Sequence, residues 1–390
     1  MGSDWKRVPL ASALRFRKPD VAVDASATYD FAGVYSFGRG VFRSQSRTGS
    51  EFSYRLVTRL QQGELVYLKV GAWEGAFGVV PPECDGCVVS PEFPAFAINS
   101  DLLLPRFLEL LLGVPAVWKS LSGESTGTNA RRRRLHPNDL LRCSLLAPSL
   151  EKQRAIVAHV DAVQGAVREA HKIRTNVEGE LEALLMSAYQ KASDGATRAP
   201  LGEVAPVVRR EVRIDPEASY TELGVRSFYK GTFQRRTVVG AEFSWQDLYW
   251  VKKDDLVFSN IMAWEKAIAV AKPEDDDCVG NHRMLTCEAR SDRVVPSFLW
   301  YYFTTPDGFD KVHAASPGTA ARNRTLTAKA LQAIPVPVPT VERQRWFDRV
   351  FNEVDEARRL QKAAAEEQSL LVPSLVQRLF APGIAGATAS

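Results

Sequence analysis

Arginine is the residue type that stands out for chemistry. Arg131, Arg132, Arg133 and Arg134 are consecutive, and Arg322 and Arg324 form a second group. A guanidinium presents a planar fork of donors that suits phosphate oxygens or the O6 and N7 edge of guanine, so these groups point to nucleic acid. A merely solvated charge run is the competing reading. Further cations sit beside glycine-rich turns: Arg39, Arg43 and Arg47 near Gly38 and Gly40, and Lys230, Arg235 and Arg236 near Gly231. Glycine lets a backbone come close to a phosphate while neighbouring side chains supply charge. The alternative is a solvated hairpin. Trp73 and Trp264 could stack on bases, although packing is the commoner use of a recurring tryptophan. The acidic run from Glu274 to Asp277 would be repelled by a polyanion and is expected to face away from it.

Other chemistries lack their signatures. The chain has no G-x-x-x-x-G-K-(S/T) phosphate loop, no (D/N/S)-P-P-(Y/F/W) sequence of the kind amino-methyltransferases use, and no nuclease-type acidic cluster followed by Glu-x-Lys. Cys84 and Cys87 form a C-x-x-C, but Cys143, Cys278, Cys287 and His282 supply no second pair at zinc spacing. No metal, no cofactor and no catalytic residue are therefore expected in this chain. Five cysteines, an odd number, fit reduced thiols better than a disulfide framework. No apolar run approaches the ~20 residues of a membrane span and no apolar stretch follows Met1, so no membrane partner and a cytoplasmic location are expected.

The elements that position these cations come in two copies. Gly33-Val34-Tyr35-Ser36-Phe37-Gly38-Arg39-Gly40-Val41-Phe42 returns as Gly224-Val225-Arg226-Ser227-Phe228-Tyr229-Lys230-Gly231-Thr232-Phe233, both reading G-V-x-S-F-x-(R/K)-G-x-F. The offset is 191 residues, and it never slips. Ala72-Trp73-Glu74 returns as Ala263-Trp264-Glu265, and G-T-x-A-R-x-R-x-L occurs at Gly127 and again at Gly318. Arg322 and Arg324 thus stand where Arg131 and Arg133 do, while Arg132 and Arg134 become Asn323 and Thr325. In length, 390 residues suit two or three domains, and 45% hydrophobic with 25% charged residues is a folded composition. The net charge of +4 is mild, so clustering and not total charge carries the nucleic-acid reading.

Each copy divides into a β-rich part and a long helix. Short strand-like runs such as Glu64 to Lys69 and Asp255 to Ser259 alternate with short helical stretches, Pro105 to Leu112 and Pro296 to Phe303. The helices open at Pro148-Ser149 and Pro339-Thr340, with Glu151 and Glu342 in the first turn. Apolar residues then recur by threes and fours: Ile156, Val160, Val163, Val167, Ile173, Val177, Leu181 and Leu184 in one, and Phe347, Val350, Val354, Leu360, Leu371, Leu375 and Leu379 in the other. The two stripes are expected to pair, with a kink at Pro373. The predicted organisation is a domain over 1–147, a helix over 148–196, a second domain over 197–338, a second helix over 339–381 and a flexible tail over 382–390. In fold class this is a mixed α/β (α+β) chain with a pseudo-twofold internal repeat: two similar domains joined by two long antiparallel coiled-coil helices.

With that order of parts, the sequence resembles the specificity subunits of type I restriction-modification systems along nearly its whole length. Ala147-Pro148-Ser149-Leu150-Glu151-Lys152-Gln153-Arg154 and Pro335-Val336-Pro337-Val338-Pro339-Thr340-Val341-Glu342-Arg343-Gln344-Arg345 are similar to that family's P-x-P-x-x-E-Q-x-x-I boundary, with a basic residue between Glu and Gln. Ala72 to Val80 with Val89-Ser90-Pro91 is similar to a segment of its recognition domains; the second copy has Gly280-Asn281-His282 in place of the Ser-Pro. The resemblance implies a non-catalytic DNA-recognition subunit whose two target recognition domains each read half of a bipartite double-stranded site. It also implies two copies of a methyltransferase subunit held by the helices, S-adenosylmethionine bound in that partner, and in restricting systems an ATP-dependent translocase/nuclease subunit. The rivals are a stand-alone DNA-binding regulator and a self-contained methyltransferase or nuclease with a divergent site.

Overall fold

The computed structural model describes residues 5–123, 134–243, 247–318 and 324–385. Its chain folds into two compact units, Met1–Ile173 with Ala363–Ser390, and Arg174–Lys362. Each unit contains one β-rich domain and one end of both long helices.

In the first unit, a five-stranded sheet runs in the order Val21–Ala22, Leu56–Arg59, Val88–Val89, Thr28–Val34, Val41–Thr48. Val41–Thr48 is its outer strand, and the contact of Thr28–Val34 with Val88–Val89 is parallel. A four-stranded sheet runs in the order Leu14–Arg17, Ala95–Ile98, Leu65–Tyr67, Phe77–Val79. Its residues Tyr67, Phe77 and Phe96 are fully buried and stack on one another with ring centres 5.1 and 6.1 Å apart. The expected helix Pro105–Leu112 forms, started by proline, whose missing N–H is not needed in the first turn. It buries Phe107, Leu108 and Leu111 in the same core. A two-stranded ribbon, Lys6–Pro9 against Ser144–Ala147, then leads into the first long helix, Leu150–Ser193.

The second unit repeats this plan at the same offset. Ribbon Thr197–Pro200 against Pro335–Val338 matches the first ribbon residue for residue. Four-stranded sheets run Val207–Val208, Met284–Cys287, Leu256–Ser259, Ile268–Val270 and Thr232–Val239, Ser219–Val225, Cys278–Asn281, Leu248–Val251. The Gln-Arg motif of the sequence has a structural cause. Gln153, with no exposed surface, donates its amide to the carbonyls of Leu102 and Pro148 and accepts from the Leu104 N–H. Gln344 does the same with Arg293, Pro339 and Val295. One buried amide thus ties the loop before a short helix to the start of a long helix, in each copy.

The long helices pair at both ends. In the first unit Ile156 and Val160 share a core with Val372, Leu375, Val376, Leu379 and Phe380. In the second, Leu181, Leu185, Ala188 and Tyr189 pack with Phe347, Val350, Phe351 and Val354, and Arg358 binds Glu178 at 2.6 Å. Four seam assignments fail, among them Ile173, 54% exposed, Leu360, 63%, and Leu371, 50%. Leu184 is likewise exposed, and its neighbour Leu185 is buried. An α-helix turns 3.6 residues at a time, so a stripe followed by threes and fours drifts off the contact line over 44 residues. Val163, Val167 and Val177 are half-buried. The second helix, Val341–Ala385, passes through Pro373 without a break and continues beyond the expected end at residue 381.

The repeat also continues past the two matched domains. Phe380 stands 191 positions after Tyr189, as Phe298 does after Phe107. Phe380 packs on Phe107 at 5.2 Å and Trp5 at 6.0 Å, while Tyr189 packs on Phe298 at 5.1 Å. The end of each long helix therefore closes one domain's aromatic core.

Candidate nucleic-acid interface

The G-V-x-S-F-x-(R/K)-G-x-F motif forms a hairpin at the edge of a sheet in each unit. Its first glycine is a cradle. A Cβ on Gly33 would lie 2.5 Å from the Phe42 ring across the ladder, and one on Gly224 would lie 2.5 Å from Phe233. Its last glycine, Gly40 or Gly231, takes the left-handed backbone that closes the turn, with φ 88° and 80°. The tip is clamped from below. Phe37 N–H donates to the Glu74 carbonyl at 2.7 Å and Ser36 Oγ to the Glu74 carboxylate at 3.3 Å. Phe228 and Ser227 repeat both bonds with Glu265, at 3.0 and 2.8 Å.

This scaffold holds out cations. Arg39 is exposed, donates to the Ser36 carbonyl at 3.1 Å and lies 5.1 Å over Tyr35, whose ring stacks on Phe42. Arg43 and Arg47 follow on the outer strand Val41–Thr48; Arg43 pairs with Asp30, and Arg47 lies 6.0 Å from the Phe31 ring. The Ser46 hydroxyl, and then Arg43, hold the Asp30 carboxyl below its ordinary range. In the second unit Lys230 sits 5.8 Å from the Phe228 ring at the tip, while Arg235 and Arg236 are exposed on the outer strand Thr232–Val239. Arg236 binds Glu222 at 2.9 Å. Half-exposed ion pairs of this kind contribute little to stability, so their arginines can exchange partners at small cost.

The arginine run is brought only partly into view. Arg131, Arg132, Arg133 and Arg322 lie outside the described residues. Arg134 is exposed and pairs with Glu92 at 3.2 Å, and Arg324 is half-buried, donating to the Ser316 carbonyl at 3.4 Å. The acidic run lies against the strand that carries the second unit's cations. Asp275 is buried and accepts from the Thr232 hydroxyl at 2.5 Å, and the Glu274 carbonyl accepts from Gln234, both partners being on the strand that carries Arg235 and Arg236. Asp275 is there to satisfy backbone, since it also takes the Lys272 N–H at 2.9 Å. Trp73 and Trp264 are half-buried, each donating its indole N–H to a carbonyl three residues back, Val70 and Ile261.

Cys84 and Cys87 lie in a core with Val34, Leu60, Val66 and Val89, and burial pushes the Cys84 thiol up to about 11. Among the described residues no three His, Cys, Asp or Glu side chains are grouped to hold a metal, and no helix is long and apolar enough to cross a membrane. Two recurring pairs had no role assigned from the sequence: Gln153 with Gln344, the buried staples, and Phe37 with Phe228, which are 61% and 60% exposed at the hairpin tips. Their identity in both copies of a divergent turn was the available signal.

No protein-family model and no curated protein sequence matches the chain. Solved structures do. The HsdS subunit from Thermoanaerobacter tengcongensis superposes with a TM-score of 0.60 at 19% identity, over 97% of both chains. The chain has the HsdS fold. A second chain, from a structure on complex assembly and conformational transition of the type I R-M system, gives 0.64 at 20% identity over 97% of this chain and 98% of that one. The HsdS fold thus accounts for nearly every residue here, both long helices included.

Proposed function

We propose that this chain is the DNA sequence-specificity subunit of a type I restriction-modification methyltransferase, each domain reading one half of a bipartite duplex target. The observation that carries the reading is the pair of clamped hairpins: the same scaffold occurs twice, each time with three exposed cations at the tip and along an outer strand. The HsdS-like fold supports it. Chemistry belongs to partners in this reading, with S-adenosylmethionine bound by the methyltransferase subunits and ATP-driven translocation, where present, by another subunit.

Methyltransferase docking falls to the long helices. Ile173, Leu370 and Leu371 in the first unit and Leu184, Met186 and Leu360 in the second are each at least half exposed on helices that otherwise present charge. Apolar residues concentrated on one element and left in solvent suit a protein partner. The reading places the complex in the cytoplasm, where its DNA is.

Measuring affinity for a duplex against salt tests the DNA assignment. Each lost phosphate contact removes about 0.9 from the log-log slope. Replacing Arg39, Arg43 and Arg47 together with alanine is expected to flatten the slope by about 2 to 3. An unchanged slope assigns these cations to a solvated surface. Copurification of the chain with a DNA methyltransferase separates a specificity subunit from a stand-alone regulator, and methyl transfer by the pure chain alone would overturn the division of labour.

A further inference from the structure

We propose that Phe37 and Phe228 are wedges that enter the base stack of bound DNA, one in each half-site. This deepens the DNA-binding reading above and rests on it. Phe37 has φ 64° and Phe228 φ 61°, a left-handed backbone that a residue with a Cβ adopts only at a steric cost. Glycine is the ordinary residue for that conformation, and both turns use it elsewhere, at Gly40 and Gly231. A phenylalanine at the same place in both copies works against local stability, and it gains little from burial, being 61% and 60% exposed. Among the described residues neither ring has an aromatic partner. Turns diverge around them: Gly38 becomes Tyr229, Arg39 becomes Lys230, Tyr35 becomes Arg226.

The surroundings say what such a ring meets. The backbone of both tips is anchored by the bonds to Glu74 and Glu265, so the turn holds each exposed ring out toward solvent. Each hairpin that carries a ring also carries exposed cations, Arg39 and Arg43 on one and Arg235 with Lys230, which lies 5.8 Å from the Phe228 ring, on the other; this fits a polyanion and disfavours an apolar protein groove as occupant. An apolar side chain beside phosphate-binding cations is the arrangement by which proteins pry open a base step: the unstacking cost is offset by contact of the flat ring with the exposed base faces.

The test uses the full-length chain and a duplex selected by it from a random library, with 2-aminopurine placed at each step in turn. Fluorescence is expected to rise at one step per half-site, the rise in one half being lost in Phe37→Ala and in the other in Phe228→Ala. Each substitution is expected to weaken binding about 5- to 100-fold, the range for one base stacked on an aromatic side chain. The salt slope should not change, because no phosphate contact is removed. Phe37→Gly and Phe228→Gly guard against misfolding: relieved of backbone strain, they should melt no lower than the parent while binding DNA as weakly as the alanine variants. Unchanged affinity in the phenylalanine variants, with a slope still sensitive to Arg39, Arg43 and Arg47, overturns the wedge and leaves the DNA reading standing. Insensitivity to both sets, or failure to select any duplex, overturns the two together. Intact DNA binding with loss of a copurifying methyltransferase would make the rings a protein contact instead.

Discussion

The two units share their internal bonds and differ where they meet solvent. Gln153 and Gln344, Ser36-Glu74 and Ser227-Glu265, and the tyrosine hydroxyls that accept from Asp24 and Asp215 N–H keep both partners and geometry. At the surface the same register carries different chemistry. Tyr35 stacks flat on Phe42 in one hairpin, whereas Arg226 lies 4.7 Å over Phe233 in the other. Arg43 pairs with Asp30 in the first, where the second has Gln234 and Thr221; there the ion pair has moved along the strand to Arg236 and Glu222. A buried amide that loses a partner costs stability at once, while an exposed contact can be exchanged almost freely. One frame can therefore carry two different surfaces.

The largest expected effect probes the two helix ends. Phe380→Ala and Tyr189→Ala should each cost about 4 kcal/mol in denaturant unfolding, as for other buried aromatics. A loss confined to one of them would break the equivalence of the units. Next, Gln153→Ala and Gln344→Ala should each cost about 3 kcal/mol, because two carbonyls and one N–H are left without partners in a dry site. Values differing by more than about 1 kcal/mol would mean that one staple is wet or redundant. A neighbouring pair sharpens the helix contact line: Leu185→Ala should cost about 2 to 3 kcal/mol and Leu184→Ala about 0.5 or less, since only the first is buried. Equal losses would restore the seam drawn through Leu184. Smaller still, Gly33→Ala and Gly224→Ala should cost about 1 kcal/mol each by pushing the Phe42 and Phe233 rings off their cradles, read as a lowered Tm. The least effect is expected at Cys84. With its thiol raised to about 11, about one in a thousand is thiolate at pH 8, so alkylation of the native protein should lag far behind that of the unfolded chain. Rapid labelling would place Cys84 in a site open to solvent.

Much of this was legible in the chain itself. A gapless offset exposed the repeat, and proline at the starts of helices placed Pro105–Leu112 correctly, because both signals are local. The middle of the helix pair was not legible: Ile173, Leu360 and Leu371 fit the apolar spacing, but whether a position on a long stripe meets its partner depends on accumulated phase. Side-chain roles were read less well than backbone ones. Gln153 and Gln344 look like surface residues by type, and nothing short of their burial reveals three hydrogen bonds apiece. Asp275 is a similar case, since a charge that caps a turn looks in sequence like one that faces water.

The closing of the first unit by Phe380 sets an order of events during synthesis. The second unit is one continuous stretch, Arg174–Lys362, and can complete its core as soon as it has been made. The first unit is discontinuous. Its aromatic face around Trp5 and Phe107 has been translated long before Phe380, which seals it. At ~5 to 20 residues per second, the roughly 270 residues between Phe107 and Phe380 leave that face uncovered for about 14 to 55 s. The domain made first is thus the last to finish, and a chain ended between Lys362 and Phe380 has its second unit whole while its first still shows its core.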